Sequence, residues 1–408
     1  MPKLLQINIT ANWGSHGKIA EGIGRLVQAN GWESYIAYGR NANPSLSILY
    51  HIGSQLDEMV HGLGTRLFDN HGLMSKLATR QLVKYIEKIQ PDIIHLHNIH
   101  GYFINYPILF KYLSTSNIPV VWTLHDCWTY TGHCAHYMYA KCDKWKSHCG
   151  HCPQKGTYPK SVCLDLSYRN YELKRKFFLS IEKLTLVPVC KWQEQDLKQS
   201  FFQHKSIIQI YNGIDTELFK PQKQTKFIRD KYHIPTDQRV ILGVASNWYR
   251  KGLTDFIQLR SFLPKDFSIV VVGLNSRELI KIRHTGIIGI KRTENVNELI
   301  ALYSTADVYF NPTWEDNFPT TNLEAMACGT PTVTYQTGGS PESITDKTGR
   351  VIPLGNIPEA VTSILAILNH PKSAYTDFCV AHVANHFNKV DRFSEYFELY
   401  NKILAKKQ

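Results

Sequence analysis

The chain of 408 residues contains no apolar run approaching the roughly 20 residues that cross a bilayer. A membrane-spanning helix is therefore not expected. The opening stretch, MPKLLQINITANWGSHG, lacks the long apolar segment and small-residue cleavage site of an export signal, so a cytoplasmic protein is expected. Low-complexity tracts and internal repeats are also missing, which sets aside disordered, collagen-like and solenoid architectures. The Gly-x-Gly-x-x-Gly turn of nicotinamide-binding proteins is absent, which counts against a dehydrogenase. Acidic residues are in the minority. With 34 Asp and Glu against 46 Lys and Arg, the net charge is +12. Such a balance favours phosphates, whether on nucleic acid, an anionic membrane surface or a phosphorylated small molecule. In a chain that is not exported, most of the 9 cysteines are expected as thiols or metal ligands rather than disulfides.

The apolar runs that are present are short and continuous rather than alternating: KLLQINI, PDIIHLH, PVVWTLH, LTLVPV, SIIQIY, RVILGVAS, SIVVVG, VYFNP and TPTVTY. Runs of this kind read as strands buried on both faces, the mark of a parallel sheet. Helical patterns lie between them, at 19–28, 74–89 and 297–304, which argues for an α/β chain with right-handed crossovers. At roughly 150 residues per domain, two or three domains are expected. The spacing predicts a first Rossmann-like domain over 1–190 with a Cys-rich insertion near 127–165, a polar linker over 191–222, a second Rossmann-like domain over 223–386 and an amphipathic closing helix over 387–408. Apolar residues at 390, 393, 397, 400 and 404 mark the inner face of that helix. Two such domains facing each other would place a ligand cleft at the carboxyl ends of their strands.

Several strand ends carry residues suited to chemistry. Gly14 and Gly17 bracket a tight turn that opens a helix, where free backbone N–H groups and the helix dipole suit a phosphate. His125 and Asp126 follow the strand PVVWTL, and a His there can bond a ligand hydroxyl or stabilise developing charge. Arg250 and Lys251 precede Gly252 at a helix start, a pairing that can clamp a diphosphate. Asp316 and Glu324 stand eight apart, with Glu324 one turn into a helix, and both suit hydrogen bonds to sugar hydroxyls. Gly338 and Gly339 form a second glycine turn before another helix. The segment GHCAHYMYAKCDKWKSHCGHCP holds Cys134, Cys142, Cys149 and Cys152. The last two form a C-x-x-C knuckle, and four thiolates would complete a closed tetrahedral zinc site of structural type. His133, His136, His148 and His151 compete as ligands.

These segments resemble glycosyltransferase family 4, with the GT-B fold of two facing Rossmann-like domains. YNGIDTELFKP resembles the family's Asn-Gly-Ile-Asp signature, WEDNFPTTNLEAMACGTPTV its E-x(7)-E region and TGGSPESI its Gly-Gly-x-Pro-Glu turn. The pieces GSHGKI, PDIIHLHNIHGYFIN and WTLHDCWTYTGHC, with the Cys-rich loop, are similar to bacterial colanic acid and capsule biosynthesis members. The resemblance implies transfer of a hexose-type sugar from a UDP- or GDP-sugar with retention at the anomeric carbon and no catalytic metal. The acceptor it implies is a glycan or polyprenyl-diphosphate-linked molecule in surface polysaccharide synthesis.

Residue by residue, the resemblance gives Glu324 the ribose contact and Lys251 the diphosphate. It places His125 toward the donor sugar, Gly17 near the diphosphate, and Gly338 and Gly339 at a second loop. Asp316 stands where the family has its first Glu, and Ser246 where it has an Arg, a loss for which Arg250 compensates. The expected catalytic set is thus His125, Asp316 and Lys251. Basic stretches from Arg66 to Lys88 and at Lys174, Arg175 and Lys176 suit peripheral docking on the inner face of the cytoplasmic membrane. Two rivals are a nucleotide-sugar epimerase of the same fold and a zinc-stabilised nucleic-acid-binding protein. The second lacks a recognition module and leaves the 316–324 segment unexplained, so no nucleic-acid partner is expected.

Overall fold

The computed structural model of the chain describes residues 1–406. It divides into two compact units, residues 1–211 with 393 onward, and residues 212–392. Among the described residues the strands form two sheets, one in each unit, and every strand pair is parallel.

The first unit contains β1 (Lys3–Asn8), β2 (Glu33–Tyr38), β3 (Ile48–His51), β4 (Ile93–Leu96), β5 (Val120–Leu124), β6 (Leu184–Pro188) and β7 (Ser206–Ile207). Their order across the sheet is β3-β2-β1-β4-β5-β6-β7. The central strands β4 and β5 are buried along their whole length, as continuous apolar runs require when helices cover both faces. The strand order reverses at β1 and β4, the position where open α/β sheets bind ligands at their carboxyl ends. The expected linker is largely part of this unit. The helix Lys191–Gln199 follows β6 directly and β7 completes the sheet. Lys191 and Lys198 face solvent, while Asp196 is buried under the Tyr130 and Tyr137 hydroxyls and Leu197 and the following Phe202 lie in the core, so composition alone misread a half-buried helix as a linker.

The closing helix Lys389–Ala405 supplies the rest of this unit. Phe393, Tyr396, Leu399 and Tyr400 pack among Leu4, Ile19, Ile23, Val27, Ile93 and Val121. Val390, expected on the inner face, is exposed. Two hydroxyls tie the helix to the sheet: Tyr400 Oη lies 2.6 Å from His95 Nδ1, and Thr123 Oγ1 lies 3.1 Å from Tyr396 Oη.

The second unit contains β8 (Arg239–Val244), β9 (Phe267–Val272), β10 (Ile287–Ile290), β11 (Val308–Asn311), β12 (Thr332–Tyr335) and β13 (Gly349–Ile352), ordered β10-β9-β8-β11-β12-β13. The reversal now falls at β8 and β11. In YNGIDTELFKP, Asp215 Oδ1 accepts the N–H groups of Glu217 and Leu218, and Lys389 Nζ reaches Asp215 Oδ2 at 2.5 Å. A Cβ on Gly213 would lie 2.6 Å from Lys389 Cα, so only glycine lets the two chain segments approach this closely.

Candidate active site

In the second unit, two loops meet at the strand reversal. After β8 the chain reaches Arg250 in a left-handed conformation (φ 63) and then Gly252 (φ 82). A Cβ at Gly252 would meet the Pro312 carbonyl oxygen at 2.3 Å, so glycine seats this loop against the end of β11. Trp314 N–H donates to the Arg250 carbonyl at 2.8 Å and fixes the contact. Lys251 Nζ then donates to Asp316 Oδ2 at 2.6 Å and to the Glu315 carbonyl at 2.8 Å, and Arg250 Nη1 donates to Glu315 Oε2 at 2.6 Å. The two pairs differ in access. Lys251 and Asp316 side chains are 29% and 26% exposed, whereas Arg250 and Glu315 are 10% and 6% exposed. An incoming anion can reach Lys251, while Arg250 is mostly committed to bracing the loop.

Glu324 lies in the helix Thr320–Ala327 and accepts a hydrogen bond from Tyr303 Oη at 3.0 Å. The glycine turn after β12 departs from expectation. Only a four-residue 3-10 turn, Ser340–Ser343, follows it. Gly339 N–H is already donated to the Asn317 carbonyl at 2.8 Å and Ser340 N–H to Thr337 at 3.1 Å. A 3-10 turn closes its own amides sooner than an α-helix does, which leaves less of this loop for a phosphate.

In the first unit, the helix Gly14–Ala29 begins five residues before the 19–28 pattern seen in the sequence. Trp13 at its cap position makes no side-chain capping bond and the first turn has no acidic residue, so its leading N–H groups face no carboxylate. A Cβ on Gly17 would lie 2.6 Å from Thr10 Oγ1, so this glycine packs the helix start against β1's exit.

His125 follows β5 and belongs to a chain of hydrogen bonds whose direction can be worked out. Gln6 Nε2 donates to the Ala20 carbonyl at 2.7 Å, so Gln6 Oε1 faces His97 Nε2 at 3.0 Å and must accept from it. Burial holds the His97 and His125 imidazoles far below their usual range, so both are neutral. His97 Nδ1 is then the acceptor, and His125 Nε2, 3.2 Å away, is the donor. This leaves His125 Nδ1 with its lone pair, able to accept a hydrogen bond from a hydroxyl. His16 stands beside it at 6.0 Å between ring centroids, lowered to about 4 by burial and by His100. Asp126 pairs with His100 Nε2 at 2.7 Å. Burial raises that carboxyl, but His100, His136 and the Trp128 N–H together outweigh burial and hold it below the usual range.

The four cysteines Cys134, Cys142, Cys149 and Cys152 line one small cavity together with His133. No group of three or more His, Cys, Asp and Glu among the described residues already stands in metal-holding geometry. Lys174, expected on a basic surface, is 1% exposed, with Nζ on the carbonyls of Trp128 and Thr131 at 2.6 and 3.0 Å. Its neighbours in helix Ser167–Phe178 carry the surface charge instead, a helical phase that a run of three basic letters conceals.

Comparison with known proteins gives these features a context. The family profile "Glycosyltransferase Family 4" matches residues 26–218, and the profile "Glycosyl transferases group 1" matches residues 224–377. The chain belongs to glycosyltransferase family 4. A protein described as the colanic acid biosynthesis glycosyl transferase WcaC, from Escherichia coli K12, is 24% identical over 379 residues, covering 86% of this chain and 87% of that one. The sucrose-phosphate synthase of Thermosynechococcus elongatus shares the fold with a TM-score of 0.74 at 17% identity, covering 100% of both chains. HepE of Anabaena, solved in complex with UDP, has a TM-score of 0.68 at 14% identity, covering 98% of this chain and 100% of that one. The architecture is thus GT-B, built here from two Rossmann-like units of matching strand order.

Lys251 and Asp316, both singled out by the family resemblance, are in direct contact in this family 4 glycosyltransferase. Glu315, one position earlier, is occupied by Arg250. The sequence reading missed Gln6, His16 and Tyr303 as supporting residues. His97 stood in view in PDIIHLH, but nothing in spacing could pair it with Gln6, 91 positions away.

Proposed function

We propose that the protein is a retaining glycosyltransferase that moves a hexose-type sugar from a nucleoside diphosphate sugar, with a UDP- or GDP-sugar as donor. The acceptor is a glycan or a polyprenyl-diphosphate-linked molecule of surface polysaccharide synthesis, a reading supported by the likeness to WcaC. The observation that carries the proposal is the accessible Lys251–Asp316 pair at the strand reversal of the second unit. As the bond from the anomeric carbon to the diphosphate oxygen breaks, the bonding electrons go to the diphosphate. Lys251 meets that growing negative charge, with Arg250 holding the loop in place. The acceptor oxygen forms the new bond on the same face, and its proton passes to the departing phosphate oxygen. Asp316 and Glu324 accept hydrogen bonds from sugar and ribose hydroxyls. His125, with Nδ1 as an acceptor, does the same for a donor-sugar hydroxyl. Lys251 takes the charge-neutralising part that a divalent ion plays elsewhere, so no metal is needed for the chemical step.

The test is a melting-temperature screen against UDP-, GDP- and ADP-sugars, followed by product analysis with the stabilising donor. A rise with one UDP- or GDP-sugar and formation of a retained glycoside are expected. No response to any nucleotide sugar, or turnover that needs added Mg²⁺ or Mn²⁺, would overturn the reading.

The same reading places the protein at the inner face of the cytoplasmic membrane. The helix Gln55–Phe68 exposes Leu56, Met59 and Leu63, each more than half exposed. The helix Lys76–Ile89 exposes Lys76, Arg80, Lys84 and Lys88, a row one helical turn apart. An apolar stripe and a basic row suit the interface of an anionic bilayer. No helix among the described residues is long and apolar enough to cross a membrane. Co-sedimentation with anionic but not neutral vesicles is expected, and none with either would refute it.

A further inference from the structure

We propose that the Cys-rich insertion of the first unit is built around a structural zinc ion held by Cys142, Cys149, Cys152 and one member of the adjacent pair His133–Cys134. Regular structure between 127 and 165 is confined, among the described residues, to two three-residue turns, Trp128–Tyr130 and Lys144–Lys146. None of the 9 cysteines is in a disulfide among the described residues. A stretch this long with so little regular structure is of the kind that a crosslink orders, and a metal is the usual one where disulfides are absent.

Three observations converge on one point. Cys134, Cys142, Cys149, Cys152 and His133 line a single cavity of about 10 Å³ whose exposed lining is almost wholly apolar, room for one ion and little else. The His133 side chain is completely buried and its Nδ1 lies 2.6 Å from Asp69 Oδ1. Asp69 also accepts the Leu166 N–H at 2.8 Å on its other oxygen, so its carboxylate orients the ring, and His133 Nε2 is left buried without a partner. A carboxylate behind a histidine with its far nitrogen unspent is the arrangement that orients metal-binding imidazoles. Finally, Gly132 N–H donates to Cys149 Sγ at 3.2 Å. A Cβ at Gly132 would lie 2.7 Å from Cys149 Cβ and 2.2 Å from the Ser167 carbonyl oxygen, so glycine is what lets an amide support this sulfur.

Cys134 and Cys152 lie near enough to each other to interact directly. The buried Lys174 sits over the Trp128 ring at 3.6 Å and donates to the carbonyl of Thr131, a cavity-lining residue, at 3.0 Å. Closing the set requires the thiol side chains to turn toward the cavity centre, each bound cysteine losing its proton to solvent as its sulfur lone pair bonds the ion. Thiolate and imidazole ligands in a closed tetrahedral set select zinc, and a closed set leaves no position for substrate, so the ion's role is structural. The proposal does not depend on the reaction the protein runs.

The test uses the full chain expressed in zinc-replete medium and purified under reducing conditions. Elemental analysis is expected to find about one zinc per chain, falling below roughly a tenth in C149S/C152S. Cys163→Ser, an exposed cysteine outside the cavity, keeps its zinc. Should the double variant fail to fold, Co²⁺ added to the metal-stripped wild type gives the intense visible bands of a tetrahedral site and a thiolate charge-transfer band. His133→Asn then assigns the fourth ligand: a changed cobalt spectrum names His133, an unchanged one names Cys134. Less than about half an equivalent of zinc in the wild type, with no charge-transfer band on Co²⁺ addition, overturns the proposal.

Discussion

At the strand reversal of the second unit, the ends of β8 and β11 carry Arg250, Lys251, Glu315 and Asp316, four charged groups in two ion pairs. At the matching reversal of the first unit, β1, β4 and the neighbouring β5 carry Gln6, His97 and His125, all neutral and joined in one directional chain. One topology thus presents fixed charge in one place and oriented neutral dipoles in the other. Fixed charge suits a ligand part whose own charge changes during reaction, whereas neutral acceptors suit hydroxyls, which they can bind without a large desolvation cost. The difference also predicts that the units respond differently to acid. Six histidines of the first unit are pushed below their usual range, chiefly by burial: His16, His61, His71, His95, His97 and His125. In the second unit only His382 shows this among the described residues.

The sharpest way to break the comparison is Lys251→Ala. Transfer should fall roughly 100-fold or more, about 3 kcal/mol, because one donor to developing charge is removed. Steady-state turnover close to that of the unmodified protein would show that the charged reversal is not the reacting one.

Acidification tests the neutral side at nearly the same size. His61 is lowered from 6.5 to about 4 by burial, and its Nε2 accepts the Gly72 N–H at 3.1 Å. The unfolded chain takes up a proton on this residue more readily, so its contribution is fully present above pH 6.5 and is lost as pH falls toward 4. That loss reaches about 3 kcal/mol for this one group. Hydrogen exchange at pH 7 and pH 5 should show protection falling first in the first unit. Equal loss in both units would contradict the contrast.

Gln6→Leu leaves His97 Nε2–H buried and unpaired, at a cost of about 1–3 kcal/mol read as a lower unfolding midpoint. An unchanged midpoint would mean that the chain of neutral groups does not hold His125. The smallest effect is expected from Tyr303→Phe, which removes one hydrogen bond to Glu324. Donor affinity by calorimetry should weaken a few-fold, about 1 kcal/mol, and an unaltered value would detach Glu324 from nucleotide binding.

Much of this could be read from the letters. Continuous runs such as SIVVVG and PVVWTL are strands β9 and β5 because a parallel sheet buries both faces. Four strands escaped notice: the inner strand β2, whose ESYIAY mixes polar with apolar letters, and the edge strands β3, β10 and β13, since ILYH, IIGI and GRVI are short and only partly buried. The polar stretch 191–199 passed for a linker because its apolar contribution to the core comes mainly from Leu197.

Sequence alone determined the α/β class, the two units, the family motifs and the residue types offered at each strand end, because buried strands and glycine turns write themselves in local patterns. It could not determine partners. That Lys251 meets Asp316 while Arg250 is drawn inward to Glu315, that Gln6 orients His97 from 91 positions away, and that His133 shares one cavity with four cysteines follow from chain segments brought together by folding. Hydrogen bonds and ion pairs act over a few ångströms in space, and a pattern of letters measures only distance along the chain.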